Sequence, residues 1–150
     1  MEIERKFIPK YLPENIATAK FHKIEQAYLN TSPVVRIRQS DNDYYLTYKG
    51  GGMMAREEYN LPLNKESYIH LREKADGNII TKTRYLIPIH DELTAELDIF
   101  EGVFKGLMIV EVEFESIEQA NTFTPPDWFG EDVTTDGRYH NSYLSKVKIN

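Results

Sequence analysis

The first seven residues, MEIERKF, place two carboxylates and an ammonium group at alternating positions, Glu2, Glu4 and Lys6. Successive side chains of a β-strand point to opposite faces, so these three residues would share one face of a strand. A solvated strand face is the plain interpretation of one such triplet. The alternative is a binding site, because neighbouring carboxylates repel one another unless a group of opposite charge lies between them.

The same spacing recurs in six later segments, in which polar or charged residues two positions apart mostly alternate with apolar or aromatic residues. On one face of these segments the acids are Glu2, Glu4, Glu58, Glu96, Asp98, Glu111 and Glu113, and the bases are Lys6, Arg36, Arg38, Lys49, Arg56, Lys82 and Arg84. A half-buried sheet explains the alternation, but not the grouping of acids on some segments and bases on others. Clustered acids suit hard divalent cations, and clustered bases suit phosphates. We therefore expect a water-filled lumen that holds a metal ion and a polyanion.

Short strands must position these charges, and the sequence contains seven or eight of them, mostly in hairpin order. This order predicts an α+β protein whose antiparallel sheet is large enough to close on itself. Three short helices are predicted beside the sheet. One begins near Pro13, one runs from an N-cap at Asn64 to a stop at Gly77, and one begins at Ser116 with Gln119 at capping-box spacing. The C-terminal segment is predicted to be a loop followed by a short helix or an extended end.

Composition limits the class of protein. The chain has 150 residues, 41% of them hydrophobic, which suits one domain spanning residues 1–150 with a substantial core. It contains no cysteine, so neither a disulfide framework nor a thiolate metal site is expected. A net charge of −6 argues against non-specific binding to nucleic acid. No apolar stretch is long enough to span a bilayer and the first residues do not resemble a signal peptide, so we expect a cytoplasmic protein.

Taken in order, the charged segments resemble those of the CYTH superfamily, the triphosphate tunnel metalloenzymes, and in particular its small bacterial members. The opening Glu2-x-Glu4-x-Lys6 resembles the ExExK signature of that family. The other matches, which extend over nearly the whole chain, are Arg36-x-Arg38, Lys49 after YLTY, Arg56 with Glu58, Lys82-x-Arg84-Tyr85, Glu96-x-Asp98, Glu111-x-Glu113 and the late PPDWFGEDVTTDGRYHN. The resemblance implies a closed eight-stranded antiparallel β-barrel, or tunnel, with a few short peripheral helices. It also implies action on triphosphate groups with Mg²⁺ or Mn²⁺.

The resemblance further implies roles for individual residues. Metal ions would be bound, directly or through water, by Glu2, Glu4, Glu96, Asp98, Glu111 and Glu113. The substrate would be held by Lys6, Arg36, Arg38, Lys49, Arg56, Glu58, Lys82 and Arg84. A water held in line by an acid such as Glu2 or Glu4 would attack the terminal phosphorus. Asn60 stands where many bacterial relatives carry a second acid, which predicts a weaker second metal site.

Two further residues have alternative interpretations. Tyr28 could take part in catalysis together with Lys82, by activating water or stabilising the leaving group, or it could be an ordinary strand aromatic. Arg138 could bind substrate and close the tunnel mouth from the C-terminal segment, or it could be a surface arginine.

Three functions remain open at this point. The first is metal-dependent hydrolysis of inorganic triphosphate to pyrophosphate and phosphate. The second is action on an organic triphosphate, as a nucleoside or thiamine triphosphatase or an adenylate cyclase. The third is non-catalytic sensing of polyphosphate or nucleotide, which would gain nothing from the carboxylates. A lumen lined only with charge favours the first, with a small-molecule polyphosphate as the partner. We expect no nucleic-acid or membrane partner, and either a monomer or a homodimer.

Overall fold

The computed structural model describes residues 1–148, about half of which lie in ten strands of an antiparallel sheet. The strands are β1 (Glu2–Pro9), β2 (Lys20–Thr31), β3 (Val34–Ser40), β4 (Asp43–Lys49), β5 (Ala55–Arg56), β6 (Glu58–Leu63), β7 (Asp76–Pro88), β8 (Thr94–Glu101), β9 (Met108–Glu113) and β10 (Phe129–Asp132). The α-helices of these residues are α1 (Lys65–Arg72), α2 (Ile117–Thr122) and α3 (Asn141–Leu144), and short 3₁₀ turns cover Glu14–Thr18, Gly102–Phe104 and Gly137–Tyr139. None of the helices in this part of the chain has the length and apolar character needed to cross a membrane.

The sheet closes into a nearly complete barrel. Neighbouring strands follow the order β1, β9, β8, β7, β2, β3, β4 and β6. The short β5, which precedes β6 in the chain, pairs back to β1 through Glu2 opposite Arg56 and Ile3 opposite Ala55. Strands β5 and β6 together occupy one strand position of the barrel, interrupted at Glu57. Eight strand positions therefore surround the lumen. This confirms the predicted eight-stranded antiparallel barrel.

Most of the apolar core lies outside the barrel wall, between the strands and the peripheral segments. Phe7 and Val112 pack against Phe123, which follows α2, and all three side chains are buried. On another side, Ile37 packs against Tyr68 of α1. Because apolar residues face outward to this core, the alternating polar residues of the same strands are directed into the lumen.

One end of the lumen is filled by apolar side chains. On β7, β8 and β9, respectively, Ile80, Phe100 and Ile109 are the lumen-facing neighbours of charged residues, and all three are buried. Tyr28 of β2 and Leu144 of α3 belong to the same cluster. The charged part of the lumen therefore has an apolar floor to which α3 contributes.

The predicted helix between Asn64 and Gly77 is correct at its start and wrong at its end. Asn64 caps α1 by accepting a hydrogen bond from the backbone N–H of Ser67 at 2.7 Å. The helix ends at Arg72, and Gly77 lies in β7 with φ of +74°. A Cβ on Gly77 would lie 1.9 Å from the backbone oxygen of Ser145, so glycine is needed at this position for close approach of the C-terminal segment.

Other local predictions had mixed outcomes. Ser116 caps α2 and accepts from the N–H of Gln119 at 3.0 Å, as the capping-box spacing predicts. The segment after Pro13 forms only a 3₁₀ turn, because Lys20 onward extends β2 along β7. Strand β10 was not predicted, since its four residues show no alternation and pair only with the end of β1.

Candidate active site

The barrel encloses a cavity of about 400 Å³ with a mainly charged and polar lining. All the acids and bases singled out in the sequence line it except Asp98 and Arg138, and so do Tyr28 and Asn60. The lining residues that the sequence did not single out are Val34, Tyr45, His140, Asn141 and Ser142. The alternation thus places the two groups of charge in one cavity, as expected.

Acids occupy one wall of this cavity, formed by the neighbouring strands β1, β9 and β8. Directly opposite residues of an antiparallel pair point to the same face, and Glu4 lies opposite Glu113 while Glu96 lies opposite Glu111. Lys6 is a base within this wall, and its Nζ lies 3.8 Å from Glu111. The register therefore concentrates carboxylates from three strands on one side of the lumen.

Two acids of this wall form a hydrogen-bonded pair. Burial, reinforced by the charges of Glu111 and Glu2, raises the pKa of Glu4 well above its usual value. Burial acts in the same direction on Glu111, but Lys6, Arg84 and a hydrogen bond from Glu4 hold its pKa well below the usual value. The hydrogen bond between the two carboxyl groups thus favours the proton on Glu4 and the charge on Glu111.

A second acid pair holds the seam where β5 and β6 meet β1. Lys49 donates to both carboxylate oxygens of Glu2, at 2.9 and 3.0 Å, and lies 3.3 Å from Glu58. Burial raises the pKa of Glu2 to about 7 in spite of Lys49. For Glu58 burial is outweighed by the hydrogen bond from Glu2 and by Lys49, and its pKa falls to about 2. In this pair too, one proton and one base stabilise two neighbouring carboxylates.

Arg36 and Arg38 of β3, on the opposite wall, and Arg56 of β5, beside β1, lack carboxylate partners within residues 1–148. Arg36 donates from Nη2 to Thr47 at 3.2 Å, while its buried Nε has no hydrogen-bond partner within residues 1–148, and the same holds for Nε of Arg56. Arg38 donates to the amide oxygen of Gln26, and burial together with nearby guanidinium groups lowers its pKa. Buried hydrogen-bond donors without partners are costly, so this wall is suited to receive an anion.

Asp98 lies beneath the cavity surface and holds two bases in place. Arg84 donates to its two oxygens at 2.8 and 2.9 Å, and Lys82 lies 2.7 Å from one of them. Asp98 is fully buried, and both of its carboxylate oxygens bond to these bases. Burial, with Arg84 and Arg38, lowers the pKa of Lys82 to about 7 against the attraction of Asp98. The suggested metal role of Asp98 stays a prediction, and its contacts with Arg84 and Lys82 are those of an anchor.

The C-terminal segment reaches the cavity through residues other than Arg138. The side chain of Arg138 is 71% exposed and pairs with Asp136 at 2.6 Å, outside the cavity lining. Its neighbours His140, Asn141 and Ser142 line the cavity instead. Nothing in their spacing could have predicted this, because a 3₁₀ turn and a single helical turn have no long periodic pattern.

Tyr28 and Asn60 both lie at the cavity, in different settings. Tyr28 is buried in the apolar floor, and its direct role in catalysis stays a prediction. Asn60 accepts from the hydroxyl of Thr47 at 2.6 Å and donates to Glu58 at 3.2 Å. It therefore links Thr47 of β4 to Glu58 as a neutral group, since an acid at this position would face Glu58 and add repulsion.

The donor set suits a divalent cation although the site is not preformed. Within residues 1–148 no three His, Asp or Glu side chains already stand in an arrangement that would hold an ion. In each of the pairs Glu4–Glu111 and Glu2–Glu58, however, two neighbouring carboxyl groups share a hydrogen bond, and burial raises the pKa of one of them so that it holds its proton more tightly. Because carboxylate oxygens are the preferred ligands of hard divalent cations, a cation can replace such a proton.

Comparisons with known proteins agree with this geometry. The chain is 40% identical over 147 residues to an inorganic triphosphatase of Nitrosomonas europaea, covering 96% of each chain. It is 33% identical over 149 residues to an inorganic triphosphatase of Acetivibrio thermocellus, covering 97% of this chain and 93% of the relative. A crystal structure of an inorganic triphosphatase superposes with a TM-score of 0.75 at 35% identity, covering 100% of this chain and 97% of the other. The model of the CYTH domain matches residues 1–148, and the chain therefore belongs to the CYTH family.

Proposed function

We propose that this protein hydrolyses inorganic triphosphate to pyrophosphate and phosphate, with Mg²⁺ or Mn²⁺ as its cation. The observation that carries this proposal is a single lumen in which unpaired arginines face a wall of paired carboxylates. A polyanion and a divalent cation would each offset one wall. Two relatives that match nearly the whole chain are named inorganic triphosphatases, which supports the same activity.

The bases of the lumen bind the substrate in this proposal. Among residues 1–148 the buried Nε groups of Arg36 and Arg56 have no hydrogen-bond partner, and a phosphate oxygen would supply one for each. Lys82 already donates to Asp98 and Asn141, which leaves one N–H of its ammonium group for a phosphate oxygen. These donors fix the triphosphate along the basic wall and stabilise the charge that spreads over its oxygens in the transition state.

The acidic wall would hold the cation, mainly through Glu4 and Glu111 with Glu2 and Glu113. A cation held there would supply positive charge that offsets part of the charge of the triphosphate. An ionised carboxylate of the wall, such as Glu111, orients a water molecule in line with the terminal phosphorus. The water oxygen forms the new bond to phosphorus, and one proton of the water passes to that carboxylate. The bond from phosphorus to the bridging oxygen breaks and releases pyrophosphate.

The other functions are less well supported. The cavity lining contains one tyrosine besides Tyr28, namely Tyr45, and its remaining surface is mostly charged, which leaves little apolar surface for a base or a thiazolium ring. A non-catalytic anion sensor would not need a wall of carboxylates. When no cation is bound, these neighbouring groups repel one another, and burial raises the pKa of Glu4.

Phosphate release from inorganic triphosphate, ATP and thiamine triphosphate, each with Mg²⁺, Mn²⁺ or chelator, tests the proposal. We expect rapid release from inorganic triphosphate only, dependent on the metal. Preference for an organic triphosphate would keep the site and replace the substrate. Binding of triphosphate without release from any substrate would make the protein a sensor.

A further inference from the structure

A continuous line of hydrogen bonds joins two bases of the lumen through two amide side chains. Arg38 donates from Nε and Nη2 to the amide oxygen of Gln26, at 2.8 and 2.5 Å. Gln26 in turn donates to the amide oxygen of Asn141 at 2.9 Å, and this oxygen also accepts from Lys82 at 3.0 Å. All four side chains are less than 10% exposed.

The chemistry of the two bases fixes the orientation of both amides. Arginine and lysine side chains have donors and no acceptor, so the oxygen of each amide must face its base. The amide nitrogen of Gln26 is then left to face Asn141, where it meets an oxygen that can accept a second hydrogen bond. The line therefore has one consistent assignment of donors and acceptors, which restricts the rotamers of Arg38 and Lys82.

The amides differ from a carboxylate in one respect that matters for an anion site. Asp98 holds Lys82 and Arg84 and also cancels part of their charge. Gln26 and Asn141 offer oxygens without a formal charge, and Arg38 has no carboxylate within salt-bridge distance in the part of the chain described. Neutral acceptors can fix the position of a base and leave its charge for a ligand.

We propose that Gln26 and Asn141 are positioning residues, which hold Arg38 and Lys82 in the lumen without neutralising them. This inference rests on the proposed function, since it assigns the two bases to triphosphate. It also gives the C-terminal segment a part in substrate binding. Asn141 is the first residue of α3, and the other end of that helix is held to β7 by Asn78, whose backbone N–H donates to Ser145 at 2.6 Å.

Two substitutions of Asn141 separate position from charge. Asn141→Asp keeps an acceptor for both Lys82 and Gln26 but adds a negative charge, so we expect an unchanged or higher melting temperature and at least a tenfold higher KM for triphosphate. Asn141→Leu removes the acceptor without adding charge. Lys82 then loses its orientation, and we expect kcat to fall at least tenfold with a smaller change in KM than in Asn141→Asp.

Gln119→Glu is the matched control for the added charge. Gln119 also uses its amide oxygen as an acceptor, from the backbone N–H of Glu115 at 2.8 Å, but it lies on α2 outside the barrel. The control adds the same charge to the chain, and we expect the KM of the wild type. An equal rise of KM in Asn141→Asp and Gln119→Glu would overturn the proposal. Wild-type values of KM and kcat in Asn141→Asp would also overturn it. The same holds if the melting temperature of Asn141→Asp falls so far that unfolding alone explains its lost activity.

A binding measurement keeps this test separate from the proposed function. Calorimetric titration of each variant with triphosphate in the presence of Ca²⁺ needs no turnover. If the wild type binds triphosphate without hydrolysing it, the proposed function fails, yet weaker binding by Asn141→Asp than by Gln119→Glu still supports the positioning role. If the wild type hydrolyses triphosphate and all variants bind equally, the positioning role alone is wrong.

Discussion

The ammonium group of Lys49 donates hydrogen bonds to both carboxylate oxygens of Glu2, at 2.9 and 3.0 Å. In the proposed function Lys49 binds phosphate and Glu2 binds the cation. Both roles cannot be filled while the two side chains are bonded to each other, because a cation at Glu2 would repel the ammonium group. Lys49 therefore acts as an internal counter-ion that a metal ion must displace.

Replacing Lys49 should affect cation and anion binding in opposite directions. In Lys49→Met we expect Mn²⁺ to bind about tenfold more tightly, because a competing hydrogen bond to a charged group worth ~1.5 kcal/mol is removed. Triphosphate should bind more weakly, since a phosphate donor is lost. Calorimetric titration with each ligand separately measures both effects.

The control for Lys49 is Arg36→Met, which removes the same charge from the same lumen. Arg36 makes no salt bridge within residues 1–148, so its loss should change Mn²⁺ affinity much less. Equal gains in Mn²⁺ affinity for the two variants would show that the general field of the lumen, rather than the contact with Glu2, limits metal binding.

The two partners of the Glu4–Glu111 pair should respond differently to amidation. Burial raises the pKa of Glu4 well above its usual value and so favours its neutral form, which Glu4→Gln resembles, and this variant should leave the melting temperature in chelator unchanged or higher. Glu111 is ionised and balances Lys6 and Arg84, so Glu111→Gln should lower the free energy of unfolding by ~3 kcal/mol. Both variants should lose metal-dependent turnover. Melting in chelator and phosphate release in Mg²⁺ measure the two effects, and full activity in both variants would remove these acids from the metal site.

The alternating charges were predictable from the sequence for a simple reason. A strand has a side-chain period of two, so residues such as Glu111 and Glu113 must share a face, and segregated acids and bases are too costly to bury without a ligand. Antiparallel register then brings Glu4 opposite Glu113 without any further information. The family resemblance supplied the number of strands and the order of the matches.

Other parts of the site depend on contacts that no local pattern encodes. Gln26 and Asn141 are 115 positions apart and meet only because α3 docks at one end of the barrel. The sequence context of Arg138 suits either a residue at the tunnel mouth or a surface arginine, and the structure pairs it with Asp136, two residues before it. Asp98 shares the spacing of the lumen acids, and only the structure shows that both its oxygens are taken by bases.

Arg36 should contribute to binding at the expense of stability. Its buried Nε has no hydrogen-bond partner in the described part of the chain, so Arg36→Met should raise the melting temperature of the free protein. The same change should raise KM for triphosphate more than tenfold, since a charge-assisted hydrogen bond contributes ~1.5–3 kcal/mol. The melting temperature of Arg84→Met is the comparison. This variant removes the bidentate partner of Asp98 and should lower the melting temperature. A lower melting temperature in Arg36→Met would contradict the view that this guanidinium is held at a cost.

Lys82 should make the stability of the free protein depend on pH in the alkaline range. Its pKa is lowered to about 7 in the folded protein, first by burial and then by nearby guanidinium groups, against 10.5 for an unperturbed lysine. Between these two values the unfolded chain binds the extra proton, so the free energy of unfolding rises as pH increases from about 7 toward about 10. Lys82→Met should remove this component, which denaturant unfolding of both proteins in chelator at several pH values would measure. Parallel pH dependences for wild type and variant would mean that Lys82 stays protonated throughout.

If wild type and Lys82→Met differ in their pH dependence, saturating triphosphate should reduce that difference, because a phosphate beside Lys82 favours the charged ammonium group and raises its pKa.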